Sequence, residues 1–147
     1  PPRSTPLYSS AASDVYKRQA TRIVTFLSVF DVHINRTPCA GTVRYRDYVT
    51  GEFRAAWDKE ADIVNERAYI GLDTPHGPVL IVQIAGLIAR RIVTWPAVGE
   101  DMGAGERFGL IKFGSRTDIL VPRGTLKVLV EKGQKVSGAL TQMGAWQ

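Results

Sequence analysis

Short apolar or alternating runs, separated by Gly and Pro residues, follow one another along most of the chain. Runs of this length that are rich in Val, Ile, Thr and Phe are typical of β-strands. Strands at this frequency, with turn residues between them, favour a sandwich or a barrel. We therefore predict a mainly β fold, β-rich α+β in class. The predicted strands are 22–29, 41–49, 67–73, 77–84, 87–95, 108–113, 117–121 and 125–130.

Segment 41–49 has the clearest alternation among the predicted strands. Val43, Tyr45 and Asp47 fall on one face, and the residues between them fall on the other. The sequence TPHG at 74–77 has strong turn chemistry, so the strands before and after it are predicted to pair.

The N-terminal segment differs from the rest of the chain in composition and in its lack of hydrophobic periodicity. Residues 1–19 read PPRSTPLYSSAASDVYKRQ, which is rich in Pro, Ser and Ala and has no periodicity. We expect this segment to be unstructured or foreign to the natural protein. Residues 20–147 are expected to form a single domain. Within it, segment 52–65 is ambiguous, since its composition allows a helix but its apolar spacing is not cleanly amphipathic.

Composition narrows the choice of partners. The chain has 147 residues and a formal net charge of +5, which favours anionic partners. Its lysines and arginines are spread out, so no basic arm for nucleic acid is predicted. Cys39 is the only cysteine, so no internal disulfide can form. No apolar run reaches the roughly 18 residues that a membrane span needs. We predict neither a span nor a secretory signal peptide, and no metal site.

Five segments carry motifs that belong together. They are SVFDVHINRTPCAG at 28–41, NER at 65–67, QIAGLIARRIV at 83–93, GERFGLIKFGSRTDILVP at 105–122 and VLVEKGQKVSG at 128–138. In this order they resemble the pyruvoyl-dependent phosphatidylserine decarboxylases, over residues from about 22 to about 141. The longer branch of that family has a second His where this chain has Arg36. Arg at this position is usual in the short bacterial and archaeal branch.

The resemblance implies self-cleavage between Gly114 and Ser115. In the family, the serine hydroxyl attacks the preceding carbonyl, the chain breaks by elimination, and the serine becomes a pyruvoyl group. This group forms a Schiff base with phosphatidylserine, which is converted to phosphatidylethanolamine and CO2. An ether-linked substrate, archaetidylserine, is left open. The mature enzyme would be a heterodimer of chains 1–114 and 115–147. Without its surrounding motif, the Gly-Ser pair would be interpreted as a simple turn.

Further residues are candidates for the chemistry that the resemblance implies. His33 matches the acid-base residue that protonates the carbon after CO2 has left. Asp31 could orient His33 or cap the loop. Arg36, Arg90 and Arg91 are candidates for the phosphodiester, since a guanidinium group binds phosphate bidentately. Surface charge or an internal ion pair is an equally good interpretation of each arginine.

Two expectations concern the surroundings of the cleavage point. A strand that starts at Leu110 would place Phe113 and Ser115 on one face, among apolar neighbours that suit decarboxylation. Because the implied substrate is a lipid and no span is predicted, we expect peripheral binding at the cytoplasmic side of the membrane.

A carrier module is the main alternative. Segment 125–140 resembles the Gly-x-x-Val turn of lipoyl and biotinyl carriers, and the predicted fold has a similar barrel-sandwich style. Asp58-Lys59 is similar to the lipoyl-lysine tip, but its neighbours have no clear hairpin character. Lipoate found on Lys59 by mass spectrometry would favour this alternative. His76, which lies in the predicted turn, is interpreted as a surface residue.

The sequence of the N-terminal segment leads to a prediction about self-cleavage. The family has a Pro-Ala-Asp-Gly segment, whose Asp is thought to help self-cleavage, and residues 1–19 contain no match to it. We therefore expect the 147-residue chain to stay whole, at 16.2 kDa on a denaturing gel. Two fragments that correspond to 1–114 and 115–147 would contradict this. With the segment restored, we expect cleavage.

Overall fold

The computed structural model describes residues 20–28, 34–88, 91–111 and 114–147. Within these ranges, eleven strands and one short helix form the regular structure, which confirms a mainly β fold. Their bounds are β1 Ala20–Leu27, β2 Ile34–Arg36, β3 Gly41–Val49, α1 Ala61–Val64, β4 Arg67–Thr74, β5 Gly77–Ile84, β6 Ile92–Thr94, β7 Asp101–Met102, β8 Arg107–Ile111, β9 Ser115–Pro122, β10 Leu126–Val128 and β11 Gly144–Trp146.

The strands form three sheets. The largest has six strands in the order β1-β9-β5-β4-β3-β7, a second has the order β2-β8-β6, and β10 pairs with β11. Neighbouring strands are antiparallel in all three. Strand β9 therefore lies inside the largest sheet, with β1 on one side and β5 on the other.

Strand β5 is buried on both faces. Successive side chains of a strand point to opposite sides, and here both sides meet apolar partners. This explains why β5 reads as a nearly continuous apolar run rather than as an alternation. One core cluster consists of Ala61, Tyr69, Leu80, Val82, Ile84 and Leu120. The other consists of Val43, Ile70, Leu72, Val79, Ile81, Met102, Phe108 and Val121, and Phe108 belongs to the three-stranded sheet.

The predicted strands agree with the structure where the pattern was clearest. Predicted strands 41–49 and 77–84 are confirmed as β3 and β5, and the turn 74–77 joins β4 to β5. Segment 52–65 is largely irregular, with turns and a bend over 56–60 and only α1 as helix. Residues 1–19 lie outside the described residues, so their expected lack of structure stays a prediction.

The predicted strand 87–95 is wrong in its extent. Among the described residues of this segment, only Ile92–Thr94 forms a strand, which pairs with β8 in the three-stranded sheet. Leu87 and Ile88 lie in an exposed bend instead. This segment leaves β5 in one sheet and joins β8 in another, so it cannot pair along its whole length.

The expectation of one strand from Leu110 through Ser115 is also wrong. Leu110 belongs to β8 in the three-stranded sheet, whereas Ser115 begins β9 in the six-stranded sheet. Between them Gly114 has φ +67°, a left-handed conformation that interrupts strand alternation and favours glycine. Phe113 lies outside the described residues.

The buried core predicts a strong contrast between two leucine substitutions. Leu80 is fully buried in the first core cluster, while Leu140 is 85% exposed. Leu80→Ala should lower the free energy of unfolding by about 2–5 kcal/mol, because it removes buried methyl groups and leaves a cavity. Leu140→Ala, the matched control, should change it by less than about 0.5 kcal/mol. Urea unfolding followed by circular dichroism measures both, and equal effects would contradict this assignment of the core.

Candidate active site

Ser115 is the first residue of β9 and lies opposite Leu27, the last residue of β1. Its side chain is buried, with the residue 1% exposed. Among the residues that the structure describes, its Oγ is the one buried side-chain oxygen or nitrogen without a hydrogen-bond partner. A buried hydroxyl left unpaired costs roughly 1–3 kcal/mol. Such groups are rare in native structures, and where they occur they are associated with strain or with reactivity.

The carbonyl group of Gly114 is in close contact with a second glycine. A Cβ atom added at Gly86 would lie closer than 3.0 Å to the carbonyl oxygen of Gly114 and 3.2 Å from its carbon. Gly86 follows the end of β5 and is buried. The absence of a side chain at Gly86 therefore lets the backbone reach the carbonyl that precedes Ser115.

Asn65 holds the segment that contains Gly86. This side chain is fully buried, and its Nδ2 donates to the carbonyl oxygens of Ala85 and Arg54, each at 2.8 Å. Its Oδ1 accepts a hydrogen bond from the Arg54 amide at 3.0 Å. The amide of Ala85 donates to the carbonyl oxygen of Glu66 at 3.0 Å. Both backbone polar groups of Ala85 are thus anchored by the NER segment.

A polar network lies on the same face of β9 as Ser115. Thr117 shares that face because it is two residues further along the strand, and its Oγ1 accepts a hydrogen bond from Asn35 Nδ2 at 3.4 Å. Asn35 Oδ1 accepts from Gln83 Nε2 at 2.8 Å, and Gln83 Oε1 accepts from the Thr94 hydroxyl at 2.6 Å. The network joins the two larger sheets beside the serine.

The opposite face of β9 carries buried charges. Arg116 donates two hydrogen bonds to Asp118, both at 2.7 Å, and Arg22 contacts Asp62 at 2.7 Å and Asp118 at 3.8 Å. Burial raises the pKa of Asp118, and the hydrogen bonds from Arg116 only partly offset that rise. The four side chains balance in charge and tie the beginning of β9 to β1 and α1.

Exposed apolar side chains border this site. Trp57 is 75% exposed, Leu87 53% and Ile88 65%; we call these three residues the apolar rim. The rim lies near Gly86, since Leu87 follows it directly and Ala56, next to Trp57, has its Cβ 3.6 Å from the Cβ position of Gly86. A ligand that reaches Ser115 from this side would pass an apolar surface.

Arg36 lies away from Gly114 and Ser115. It is exposed and opposes Arg107, at the end of β8 that is remote from Gly114. Its Nη1 donates to the carbonyl oxygen of Gly105 at 2.9 Å. The structure therefore does not bring Arg36 together with Ser115.

The other sequence-predicted site residues are described only in part. Arg91 is exposed and lies just before β6, although it was predicted to lie within a strand. His33, Asp31 and Arg90 lie outside the described residues, so their roles stay predictions.

Lys59, the candidate for a carrier module, and His76, the second histidine of the chain, both lie at the surface. Lys59 is exposed in a turn before α1 and does not lie at the tip of a strand hairpin. His76 is exposed in the turn between β4 and β5, where its ring stacks on Trp146 with centroids 4.7 Å apart. This position agrees with the interpretation of His76 as a surface turn residue.

Sequence reasoning missed four residues beside Ser115. Asn65 lies in the NER motif at 65–67 and Gly86 in the motif at 83–93, but neither motif indicates which residues these two contact. Arg116 and Asp118 had a usable signal, because opposite charges two residues apart on a predicted strand fall on the same face.

An internal serine buried at the beginning of an inner strand, directly after a glycine, is the kind of site expected of a self-processing proenzyme. The sequence profile of the family described as "Phosphatidylserine decarboxylase" matches residues 6–143. The chain belongs to the phosphatidylserine decarboxylase family.

Individual relatives agree with the family match. The phosphatidylserine decarboxylase proenzyme of Symbiobacterium thermophilum is 56% identical over 127 residues, which are 86% of this chain and 59% of the relative. That of Carboxydothermus hydrogenoformans is 48% identical over 128 residues, 87% of this chain and 60% of the relative. That of Mycobacteroides abscessus is 48% identical over 121 residues, 82% and 51% respectively. The chain thus spans about half to three fifths of the length of these relatives.

Proposed function

We propose that the protein containing this chain decarboxylates phosphatidylserine to phosphatidylethanolamine and CO2, with a pyruvoyl group made from Ser115. The observation that carries the proposal is the buried, unpaired hydroxyl of Ser115, which directly follows Gly114 with its positive φ. The relatives' printed name, phosphatidylserine decarboxylase proenzyme, supports the same substrate and the same need for processing.

The proposed maturation uses only the chain itself and water. The Oγ of Ser115 forms a bond to the carbonyl carbon of Gly114, the amide C–N bond breaks, and the hydroxyl proton passes to the nitrogen. Loss of the Ser115 α-proton then breaks the Cβ–O bond, which leaves a carboxylate on Gly114 and a dehydroalanine. Water hydrolyses the dehydroalanine to the ketone and releases ammonia. The unpaired Oγ suits the first step, because it need not give up a hydrogen bond to react.

The position of β9 supports a stable two-chain product. The strand pairs with β1 along its whole length and with β5 over Arg116–Leu120. Both ladders lie downstream of the cleaved bond on β9, so neither is broken by cleavage. Chains 1–114 and 115–147 would remain together as a heterodimer.

His33 is proposed as the acid-base residue. Two strands flank His33 in sequence and support this assignment. Strand β1 ends at Leu27, which lies opposite Ser115, and strand β2 begins at Ile34, which lies opposite Leu110. Asn35, two residues after His33, donates a hydrogen bond to Thr117 of β9. An imidazole with a pKa near neutrality can supply the proton that replaces CO2.

The surroundings of Ser115 suit the reaction. A pyruvoyl group at residue 115 would supply a ketone for the substrate amine and an electron sink for the pair that CO2 leaves behind. The residue's burial keeps water away, which favours loss of the charged carboxylate. Arg36, Arg90 and Arg91 stay candidates for the phosphodiester, and Arg91 is exposed before β6. Because Arg36 lies at the end of β8 remote from Gly114, it could contact only a part of the substrate distant from the reacting amine.

Contact with the membrane surface is proposed through the apolar rim. No helix in the described ranges is long and apolar enough to cross a bilayer. The rim lies beside Gly86 and thus beside the candidate site, where a lipid head group must arrive. The formal net charge of +5 favours an anionic lipid surface. We propose that the enzyme binds peripherally through the rim, at the cytoplasmic side that the family resemblance implies.

Processing at Ser115 can be tested by intact-mass spectrometry of the protein expressed from its full-length gene. We expect two fragments, with the C-terminal one beginning at residue 115 and lighter by one ammonia than the corresponding serine peptide. Ser115→Ala removes the attacking hydroxyl and should leave the chain whole. Ser137→Ala, at an exposed serine that also neighbours a glycine, is the matched control and should cleave normally. Cleavage of the Ser115→Ala protein would overturn the proposal.

Membrane contact can be tested by co-sedimentation with phosphatidylcholine vesicles that contain phosphatidylglycerol. Trp57→Ala should weaken binding about tenfold, because it removes a large exposed aromatic surface from the rim. The matched control is Trp95→Ala, since Trp95 is 50% exposed but lies opposite Phe108 near the far end of β8. Equal losses from both variants, or none from Trp57→Ala, would contradict a role for the rim.

A further inference from the structure

We propose that Gly86 is a positioning residue for self-cleavage: its bare backbone forms the surface against which the Gly114 carbonyl is held for attack by Ser115. The inference rests on the proposed function, since it assumes that the bond between Gly114 and Ser115 is the one that breaks. It adds a residue 28 positions upstream that would act through geometry alone.

The contact at Gly86 leaves no room for a side chain. An added Cβ would lie closer than 3.0 Å to the Gly114 carbonyl oxygen, a distance that real Cβ atoms essentially never show. The obstructing atoms belong to the backbone, so no flexible side chain can move aside. A methyl group at residue 86 can be accommodated only if one of the two backbone segments moves.

Gly114 itself is not where the crowding arises. An added Cβ at Gly114 would meet no atom within 4 Å, so the requirement for glycine there is its φ of +67°. This corrects the simplest explanation of a glycine before the cleavage point, namely that space is short at that residue. Space is short at Gly86, on the other side of the carbonyl.

Both backbone segments are anchored next to the contact. On one side, Ala85 is fixed by hydrogen bonds with Asn65 and Glu66. On the other side, Ser115 lies opposite Leu27 in the β1–β9 ladder. The carbonyl is therefore confined between two anchored segments, which restricts its rotation.

Restricted rotation matters for the first chemical step. The Ser115 oxygen must approach the face of the carbonyl of its own preceding peptide, and the angle of approach depends on how that carbonyl is turned. A misplacement of about 1 Å in a reacting group can cost about a hundredfold in rate. A methyl group at residue 86 would push directly on the carbonyl oxygen, so it should slow formation of the ester.

The test compares two glycine-to-alanine substitutions in the protein expressed from its full-length gene. Gly86→Ala should slow cleavage about a hundredfold, as followed by intact mass over time. The matched control is Gly41→Ala, where an added Cβ would meet a backbone oxygen of Asp73 at 2.7 Å. Gly41 pairs with Met102 at the other end of the six-stranded sheet, so this variant should cleave at nearly the normal rate once folded.

Three measurements separate the possible outcomes. Circular dichroism shows whether each variant is folded during the time course, and hydroxylamine shows whether the ester accumulates, since it cleaves esters. With Gly86→Ala we expect a folded protein and no accumulated ester, because the step before the ester is slowed. Normal cleavage of folded Gly86→Ala, or an equal slowing in Gly41→Ala, would overturn the inference. Failure of the unaltered protein to cleave would instead overturn the proposed function.

A second variant keeps the inference testable if Gly86→Ala does not fold. Asn65→Ser adds no atoms near the carbonyl but removes the hydrogen bond to Ala85, so the Gly86 segment should loosen. We expect cleavage about tenfold slower, together with faster hydrogen exchange in residues 85–88. Faster exchange without any slowing of cleavage would show that the position of this segment does not matter.

Discussion

The contact between Gly86 and the carbonyl group of Gly114 is the constraint on which the candidate site depends. The ladder between β5 and β9, which pairs Ile84 with Arg116, places the two glycines against each other although they are far apart in sequence. The hydrogen bonds of Asn65 to Ala85 and Arg54 fix the Gly86 side of this contact. The motif around residues 83–86 thus contacts the motif around residues 114–118 and, on our proposal, positions its Gly114 carbonyl.

Strand β9 separates two kinds of environment. On one face, Ser115 and Thr117 adjoin a network of neutral polar side chains that connects two sheets. On the other face, Arg116 and Asp118 form an ion pair that is tied to neighbouring elements. Buried ion pairs contribute little net stability, but they are costly to break, and so they specify position well. The ion pair therefore fixes the position of β9 from one face, and the proposed reaction at Ser115 takes place on the other, neutral face.

The sequence predicted the strands that a regular pattern identifies and missed what depends on distant contacts. Strand β3 was found from its alternation and β5 from its length and its flanking turn. Segment 87–95 was misjudged because its apolar residues suggested burial, whereas Leu87 and Ile88 are exposed. Gly114 and Ser115 were predicted as the cleavage pair only through motifs. The role of Gly86 could not be read from sequence, because it depends on which backbone segment faces it.

The depth of Ser115 has an electrostatic consequence for the cleaved protein. Ordinary hydrolysis between residues 114 and 115 would create an α-amino group, which has a pKa of about 8 and carries a positive charge near neutral pH. Ser115 is almost fully buried, and an unpaired ammonium at that depth would be very unfavourable. Expelling the nitrogen as ammonia, as proposed, would leave an uncharged chain end instead. The same chemistry that would create the reactive ketone therefore also allows the new terminus to stay inside the fold.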